Sequence, residues 1–337
     1  MRIALSADNA TVKEGKIMIT ANRRSVLCGL GALGALSAVS GCSSAAPRVV
    51  RIGKHAWPGY ALLSLGTQIG SIDEKLVKIV NTPSASASIR ALESGSLDSA
   101  CLTLDEVLTA REAGLPLAVV AIVDISVGAD VLLVPSSVES LAGIRGLRIG
   151  AEQTAVGAVM LDAALKAAGL SAGDVTIVHS AINEHEEFIA AGKVDAIVTY
   201  EPVKSRLLAK GLKEIFSSAA IPGKIIDTIA VRSDVAAEAE DGVKAIVAGF
   251  FAGRTAWLAD PARHAPVLGT LLGLPPSEVP TSFTGLELPD LAANRQWFAG
   301  TPNRLERTAG EVAAVLRSAG LLQKPALLDG IADGNFL

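Results

Sequence analysis

The stretch GSLDSACLTLDE (residues 95–106) returns later in the same chain as GKVDAIVTYEP (residues 192–202). Each copy runs from a glycine through an apolar residue to an aspartate, then an apolar run, then a polar cluster ending in a carboxylate. The glycine reads as the left-handed residue that ends a helix, a conformation a side chain would penalise. Leu97 or Val194 then turns inward, the aspartate opens a strand, and the polar cluster lies at that strand's carboxyl end. Two copies predict two similar α/β lobes. In open α/β sheets ligands bind beyond the carboxyl ends of the strands, so the two clusters would face each other across a cleft.

Working outward, strand-length apolar runs at 49–53, 76–80, 98–102, 117–123 and 131–134 alternate with helix-like stretches such as 85–93 and 104–112. The rhythm restarts with runs at 147–151, 175–179, 194–199 and 225–231, separated by helices near 155–168, 184–190 and 203–210. This alternation is the βαβ pattern of largely parallel sheets. From Val235 onward apolar residues recur at helical spacing. The expected architecture is two α/β lobes, each a mixed, mostly parallel sheet flanked by helices, with a helical C-terminal tail. Residues 48–130 with 230–337 form one lobe and 131–229 the other.

The chain has 337 residues, 50% hydrophobic and 19% charged, which suits one large core or two medium ones. A net charge of -4, with no cluster of Lys and Arg interleaved with aromatics, argues against a nucleic-acid partner. Residues 1–41 read as an export signal: Arg23 and Arg24 precede an apolar run from Val26 to Val39 that is too short to span a membrane, then small residues. Met18 is a natural start. Residues 22–27 (NRRSVL) resemble a twin-arginine signal, and Val39-Ser40-Gly41-Cys42 resembles the bacterial lipobox, whose cysteine carries lipid. An ordinary signal with a chance cysteine is the alternative. Residues 42–47 form a short tether. Removal of Cys28 and lipidation of Cys42 leave Cys101 alone, a buried structural thiol in an apolar strand, with no intrachain disulfide.

Several residues are candidates for the cleft. Trp57 and Tyr60 flank Pro58-Gly59 after the first strand, where flat rings could stack on a ligand or plug the core. Ser84 and Ser86 precede an apolar helical face, so one caps a helix, and the spare hydroxyl and amides there either hold an anion or polar oxygen or serve capping alone. Thr103 and Asp105 end the first copy of the repeat, and Tyr200 and Glu201 end the second. Carboxylates at both mouths would repel unless a hydrogen-bond donor or a positive charge came between them; starting the following helix is the other use for Asp105 and Glu201. Glu106 reads as solvated. Ser126 and Asp130 fall at the crossing between lobes, where Gly128 would let the backbone turn. Glu152 and Thr154 follow a strand and open a helix. His185, between Glu184 and Glu186, and the isolated His55 have no second histidine at a metal-ligand spacing, so no metal and no cofactor are expected.

The segments Trp57-Pro58-Gly59-Tyr60, PSASASIRALESGSLDSACLTLDE (83–106), DISVGADVLLV (124–134), LRIGAEQTAVGAVMLDAALKAAGL (147–170) and VDAIVTYEPVKSRLL (194–208), in that order, resemble solute-binding proteins of nitrate/sulfonate/taurine-type ABC importers. That resemblance implies the type II periplasmic-binding fold, two crossovers between the lobes, and a small-molecule ligand delivered to a membrane permease. The signal segment and a lipidated Cys42 fit that role, with an exported lipoprotein at the outer face of the cytoplasmic membrane or in the periplasm, and a monomer is expected. No nucleophile elbow, phosphate loop or His-Glu-x-x-His pattern is present, which speaks against an enzyme. An enzyme of the pyrimidine-biosynthesis type on a related fold, or a sensor subunit for a membrane receptor, is the alternative. Nitrate and sulfonate are the ligands the resemblance supplies. The candidate cleft residues instead include Asp105, Asp130, Glu152 and Glu201, against Lys54 and Arg90 as cations. That balance favours an amine or amino-heterocycle.

Overall fold

The computed structural model describes residues 48–152 and 155–337. The expected signal segment, the whole tether with Cys42, and Thr154 lie outside them.

The strands are β1 (Val50–Lys54), β2 (Val77–Asn81), β3 (Ser99–Thr103), β4 (Leu117–Ser126), β5 (Val131–Pro135), β6 (Arg148–Ala151), β7 (Thr176–His179), β8 (Ala196–Thr199), β9 (Leu212–Ser217), β10 (Ile226–Arg232) and β11 (Leu286–Glu287). They build a six-stranded sheet in the order β11-β4-β10-β3-β1-β2 and a five-stranded sheet in the order β7-β6-β8-β5-β9. Helices α1 (Pro58–Gln68), α2 (Ala85–Glu93) and α3 (Leu104–Glu112) follow β1, β2 and β3, while α4 (Ala155–Ala167), α5 (His185–Ala190) and α6 (Val203–Ala209) follow β6, β7 and β8. Beyond β10 the chain is mainly helical, with its longest helix at Glu240–Ala259 packed against α1.

Both sheets are mixed. β1 runs parallel to β2 and β3, and β6 runs parallel to β7 and β8. The strands next to the crossings run the other way: β10 is antiparallel to β3 and β4, and β5 is antiparallel to β8 and β9. A strand arriving from the other sheet enters at the shared, carboxyl-end edge and must run outward from it. β4, LAVVAIVDIS, is buried along its whole length, because helices cover both faces, and for that reason its apolar residues do not alternate with polar ones.

The chain returns to the first sheet between β9 and β10. β10 therefore belongs wholly with the first sheet, and the expected boundary at 229/230 falls inside it. A fully buried apolar strand carries no periodic mark of the sheet it joins, which explains the misplacement. β9, unforeseen in the sequence, is a half-exposed edge strand on β5. The two crossings are fastened together: the Ser126 and Ser218 hydroxyls hydrogen-bond at 2.7 Å, Gly128 N–H donates to Ser218 Oγ at 2.7 Å, and Asp130 N–H donates to Ser126 Oγ at 3.2 Å.

The repeated aspartate has a repeated partner. Arg51 in β1 donates its backbone N–H and Nε–H to Asp98 Oδ2 at 2.9 and 2.7 Å, and Nη2 to Asp98 Oδ1 and Gly95 O at 2.9 and 2.8 Å. Arg148 in β6 does the same to Asp195 Oδ2 at 2.9 and 3.0 Å and Oδ1 at 2.6 Å, with Nη1 reaching Gly192 O at 2.7 Å. Gly95 and Gly192 sit at φ 70° and 62°, left-handed conformations that present those carbonyls to the arginine. In both sheets one planar guanidinium, on β1 or β6, thus ties its strand to the helix end and strand start ahead of β3 or β8, a fork geometry suited to a carboxylate.

The two clamps differ in exposure: the Asp98 side chain is 3% accessible and that of Asp195 is 34%. Asp98→Ala is expected to lower unfolding free energy by about 2 kcal/mol and Asp195→Ala by less than about 1 kcal/mol, read from urea denaturation. Hydrogen bonds from Arg51 and Arg48 outweigh the opposing effect of burial and hold the Asp98 carboxyl down at about 2. Its contribution is therefore complete above the unfolded value near 4 and is lost as pH falls through 2.

Candidate functional site

The carboxyl ends of the parallel strands in both sheets converge on one small cavity of about 30 Å³. From the first sheet come His55 and Trp57 just past β1, Thr103 at the end of β3, and Glu106 in the first turn of α3. Asp227 also faces in, because the antiparallel β10 starts where its parallel neighbours end. The crossing supplies Asp130. The second sheet supplies Glu152 past β6, Tyr200 past β8, and His185 opening α5, with Val156, Gly157 and Val198 between them.

Tyr200 spans the gap between the sheets. Its ring meets Trp57 edge-on, with centroids 5.3 Å apart and planes at 87°, and lies 6.0 Å from the His55 ring. Ser86 in α2 reaches across as well, donating to Glu152 Oε1 at 2.9 Å.

Beneath the cavity lies a pair of acids. Asp124 and Asp227 are register partners on β4 and β10, both buried. Trp57 Nε1–H donates to Asp124 Oδ2 at 3.0 Å, and Tyr60 O–H donates to Asp227 Oδ1. Gly59 makes the space, since a Cβ there would stand 1.8 Å from Asp124 Oδ2. Burial pushes both carboxyls above the usual carboxylate range, and for Asp227 the neighbouring Asp124 adds to this. Two like charges side by side in an apolar sheet cannot both ionise, so the pair holds a proton at neutral pH.

The other groups follow the same rule. Burial raises the Asp130 carboxyl to about 6, against smaller opposing effects from Ser126 and the Lys204 charge. Burial also raises Glu152, opposed by hydrogen bonds from Ser86 and Ser84. Burial pushes His55 down to about 3 and His185 to about 4, so both are neutral. His185 Nε2 lies 3.2 Å from Ser180 O and Nδ1 lies 3.1 Å from Thr199 Oγ1. The carbonyl can only accept, so Nε2 carries the proton and Nδ1 accepts from Thr199. No lysine or arginine is among the described lining residues. Lys54 is buried in β1 outside the lining, its ammonium pushed down by burial, and Arg90 is exposed on α2.

Of the residues anticipated from sequence, Trp57, Thr103, Asp130, Glu152, His185 and Tyr200 line the cavity. Tyr60 does not: its ring is 1% accessible within the core, so it is no stacking platform. Ser84 caps α2, accepting from Ala87 N–H at 3.2 Å. Ser126 fastens the crossing, and Glu201 accepts from the Ser205 backbone N–H and hydroxyl at 3.2 and 2.9 Å, so its carboxylate serves α6. Asp105 is buried in the first turn of α3, behind the lining. Glu106, anticipated as solvated, is 3% accessible, lines the cavity and accepts from Thr103 N–H at 3.0 Å. Asp124 and Asp227 were not anticipated, yet each is a lone carboxylate inside an apolar strand run, a costly placement that signals a special environment. The Cys101 thiol is buried and pushed up to about 12 by burial. Among the described residues, no group of three or more His, Cys, Asp or Glu side chains is placed to hold a metal ion.

The family model described as NMT1/THI5 like matches residues 76–264, more than half of the chain. No curated protein matches it. Among solved structures, the alkanesulfonate-binding protein SsuA from Xanthomonas axonopodis pv. citri, bound to MOPS, aligns with TM-score 0.71 and 21% identity over 86% of this chain and 99% of its own. The periplasmic aliphatic sulphonate binding protein SsuA from Escherichia coli aligns with TM-score 0.69 and 17% identity over 85% and 92%. The periplasmic nitrate-binding protein NrtA from Synechocystis PCC 6803 gives TM-score 0.69 and 12% identity over 86% and 88%. These likenesses establish the two-lobed periplasmic-binding fold.

An acid whose folded-state value is raised loses stability as pH rises from its unfolded value through its folded one. For Asp130 that window runs from about 4 to about 6. The ligand-free protein is therefore expected to melt at lower temperature as pH rises across this window, and Asp130→Asn is expected to flatten the decline, measured by scanning calorimetry.

Proposed function

The chain belongs to the NMT1/THI5-like family, and on that premise we propose that it is the extracytoplasmic substrate-binding component of an ABC importer. It captures a small polar organic ligand in the cavity between its sheets and delivers it to a membrane permease. The observation that carries this reading is the cavity itself, set where facing strand ends meet and walled by rings and hydrogen-bonding groups from both sheets. The named structural neighbours are binding proteins, which fits the same role. Cys101, held as a thiol in β3 outside the lining, offers no nucleophile for the enzyme alternative.

The ligand we propose is an amine or amino-heterocycle. Alkanesulfonate and nitrate, named for the neighbours, are anions that call for donors and positive charge. The wall here carries Glu106, Asp130, Glu152 and Asp227 instead. A ligand that donates N–H bonds meets those acceptors, and Trp57 and Tyr200 give it flat apolar faces. Export through the signal segment and tethering at Cys42 would keep a monomeric binder beside its permease.

Thermal melting against amines, amino-heterocycles, sulfonates and nitrate tests the reading. A ligand at a hundred times its dissociation constant adds about 2.7 kcal/mol. A stabilising shift with an amine or amino-heterocycle is expected, whereas a shift with sulfonate or nitrate alone would refute the ligand class and keep the binder.

A further inference from the structure

The four carboxyls on the cavity wall are not equivalent. Glu106 accepts from the Thr103 backbone N–H at 3.0 Å, Glu152 accepts from Ser86 Oγ at 2.9 Å, and Asp227 accepts from the Tyr60 hydroxyl while lying against Asp124. Both ring nitrogens of His185 are engaged, by Thr199 and Ser180. These groups are already used in holding α3, α2, the β4–β10 pair and α5 in place.

Three polar atoms on the wall are buried without a partner in hydrogen-bonding geometry: His55 Nδ1, Thr103 Oγ1 and Asp130 Oδ2. Buried polar atoms are almost always satisfied, and one left open costs about 1–3 kcal/mol. Three such atoms on one cavity wall mark the places a ligand fills.

We infer that His55, Thr103 and Asp130 are the specificity-determining groups of the cavity, and that Asp130 anchors the ligand's ammonium or protonated ring N–H. This rests on the proposed amine-binding role and adds to it which groups recognise the amine. Asp130 suits the task because Lys204, the cation that acts on it, is engaged elsewhere. Lys204 lies on the second-sheet side, with its ammonium at Gly128 O and Glu214, 3.3 Å from each. Asp105, buried behind the wall, repels the same charge. A ligand cation at Asp130 relieves that repulsion. His55 is neutral, so its Nδ1 is a lone pair or an N–H according to tautomer and adds no competing charge. Thr103 Oγ1 can donate or accept, and together the three groups fit a ligand carrying one strong donor and one weaker polar atom. The nearby rings of Trp57 and Tyr200 favour a flat body joining them.

The test is calorimetric titration of the purified protein with benzylamine, benzamidine and 4-aminopyridine, with taurine and nitrate as anions. The inference predicts that at least one of the three cationic probes binds, that Asp130→Asn weakens it at least about thirtyfold, and that the ligand-free variant melts no lower than wild type. A purely structural role for Asp130 would lower the melting temperature instead. Should that happen, Thr103→Val decides: a loss of affinity without loss of stability supports the inference, and unchanged affinity overturns it. Wild-type affinity in Asp130→Asn overturns the anchor while leaving the amine-binding role intact. If none of the cationic probes binds, both fail together.

Discussion

Carboxyl groups taken out of water at the meeting point of two sheets impose the constraint on which the rest of the structure depends. Glu106, Asp130, Glu152 and Asp227 line one cavity, with Asp105 and Asp124 behind them. An isolated buried carboxylate is too costly to persist, so each must be hydrogen-bonded, protonated or met by an opposite charge. The molecule uses the first two means for most of them. Thr103 N–H, Ser86 and Tyr60 supply hydrogen bonds, and the Asp124–Asp227 pair retains a proton. Asp130 keeps an oxygen open, which makes the cavity a place where positive charge or an N–H group is missing.

Such a site stands only on a frame that does not yield to it. The arginine clamps give each sheet the same corner: Arg51 on Asp98 and Gly95, Arg148 on Asp195 and Gly192. They lie at the amino-terminal starts of β3 and β8, opposite the cavity, and fix the direction in which the strands deliver Thr103 and Tyr200. The apolar layers around β4 and the long helix Glu240–Ala259 bury both faces of the first sheet. The paired serines at the crossings, Ser126 and Ser218, join the two sheets where any change in their relation must act.

Much of this was legible in the sequence because local rules and tertiary needs agreed. The repeat around Asp98 and Asp195 marked two related sheets, and α2 and α3 begin and end where their apolar spacing and caps placed them. Cleft residues at strand ends, such as Thr103 and Tyr200, followed from topology alone. What stayed hidden depended on non-local partners. Tyr60 could not be told from a stacking ring until Asp227, distant in sequence, took its hydroxyl. Glu201 resembled a cleft acid but serves Ser205 four positions on. Glu106 looked solvated because nothing local shows that the first turn of α3 faces another sheet. β10 could not be assigned to its sheet because a uniformly buried strand records no direction of packing.

The acid-lined cavity calls for a nitrogen-bearing donor rather than an oxyanion. Native mass spectrometry of the purified protein after exposure to the small-molecule fraction of a cell extract tests it most directly, since the bound species is identified by its own mass and fragments. A single retained molecule carrying an amine or a ring N–H is expected. A retained sulfonate or nitrate, or no retained molecule at all, would contradict it.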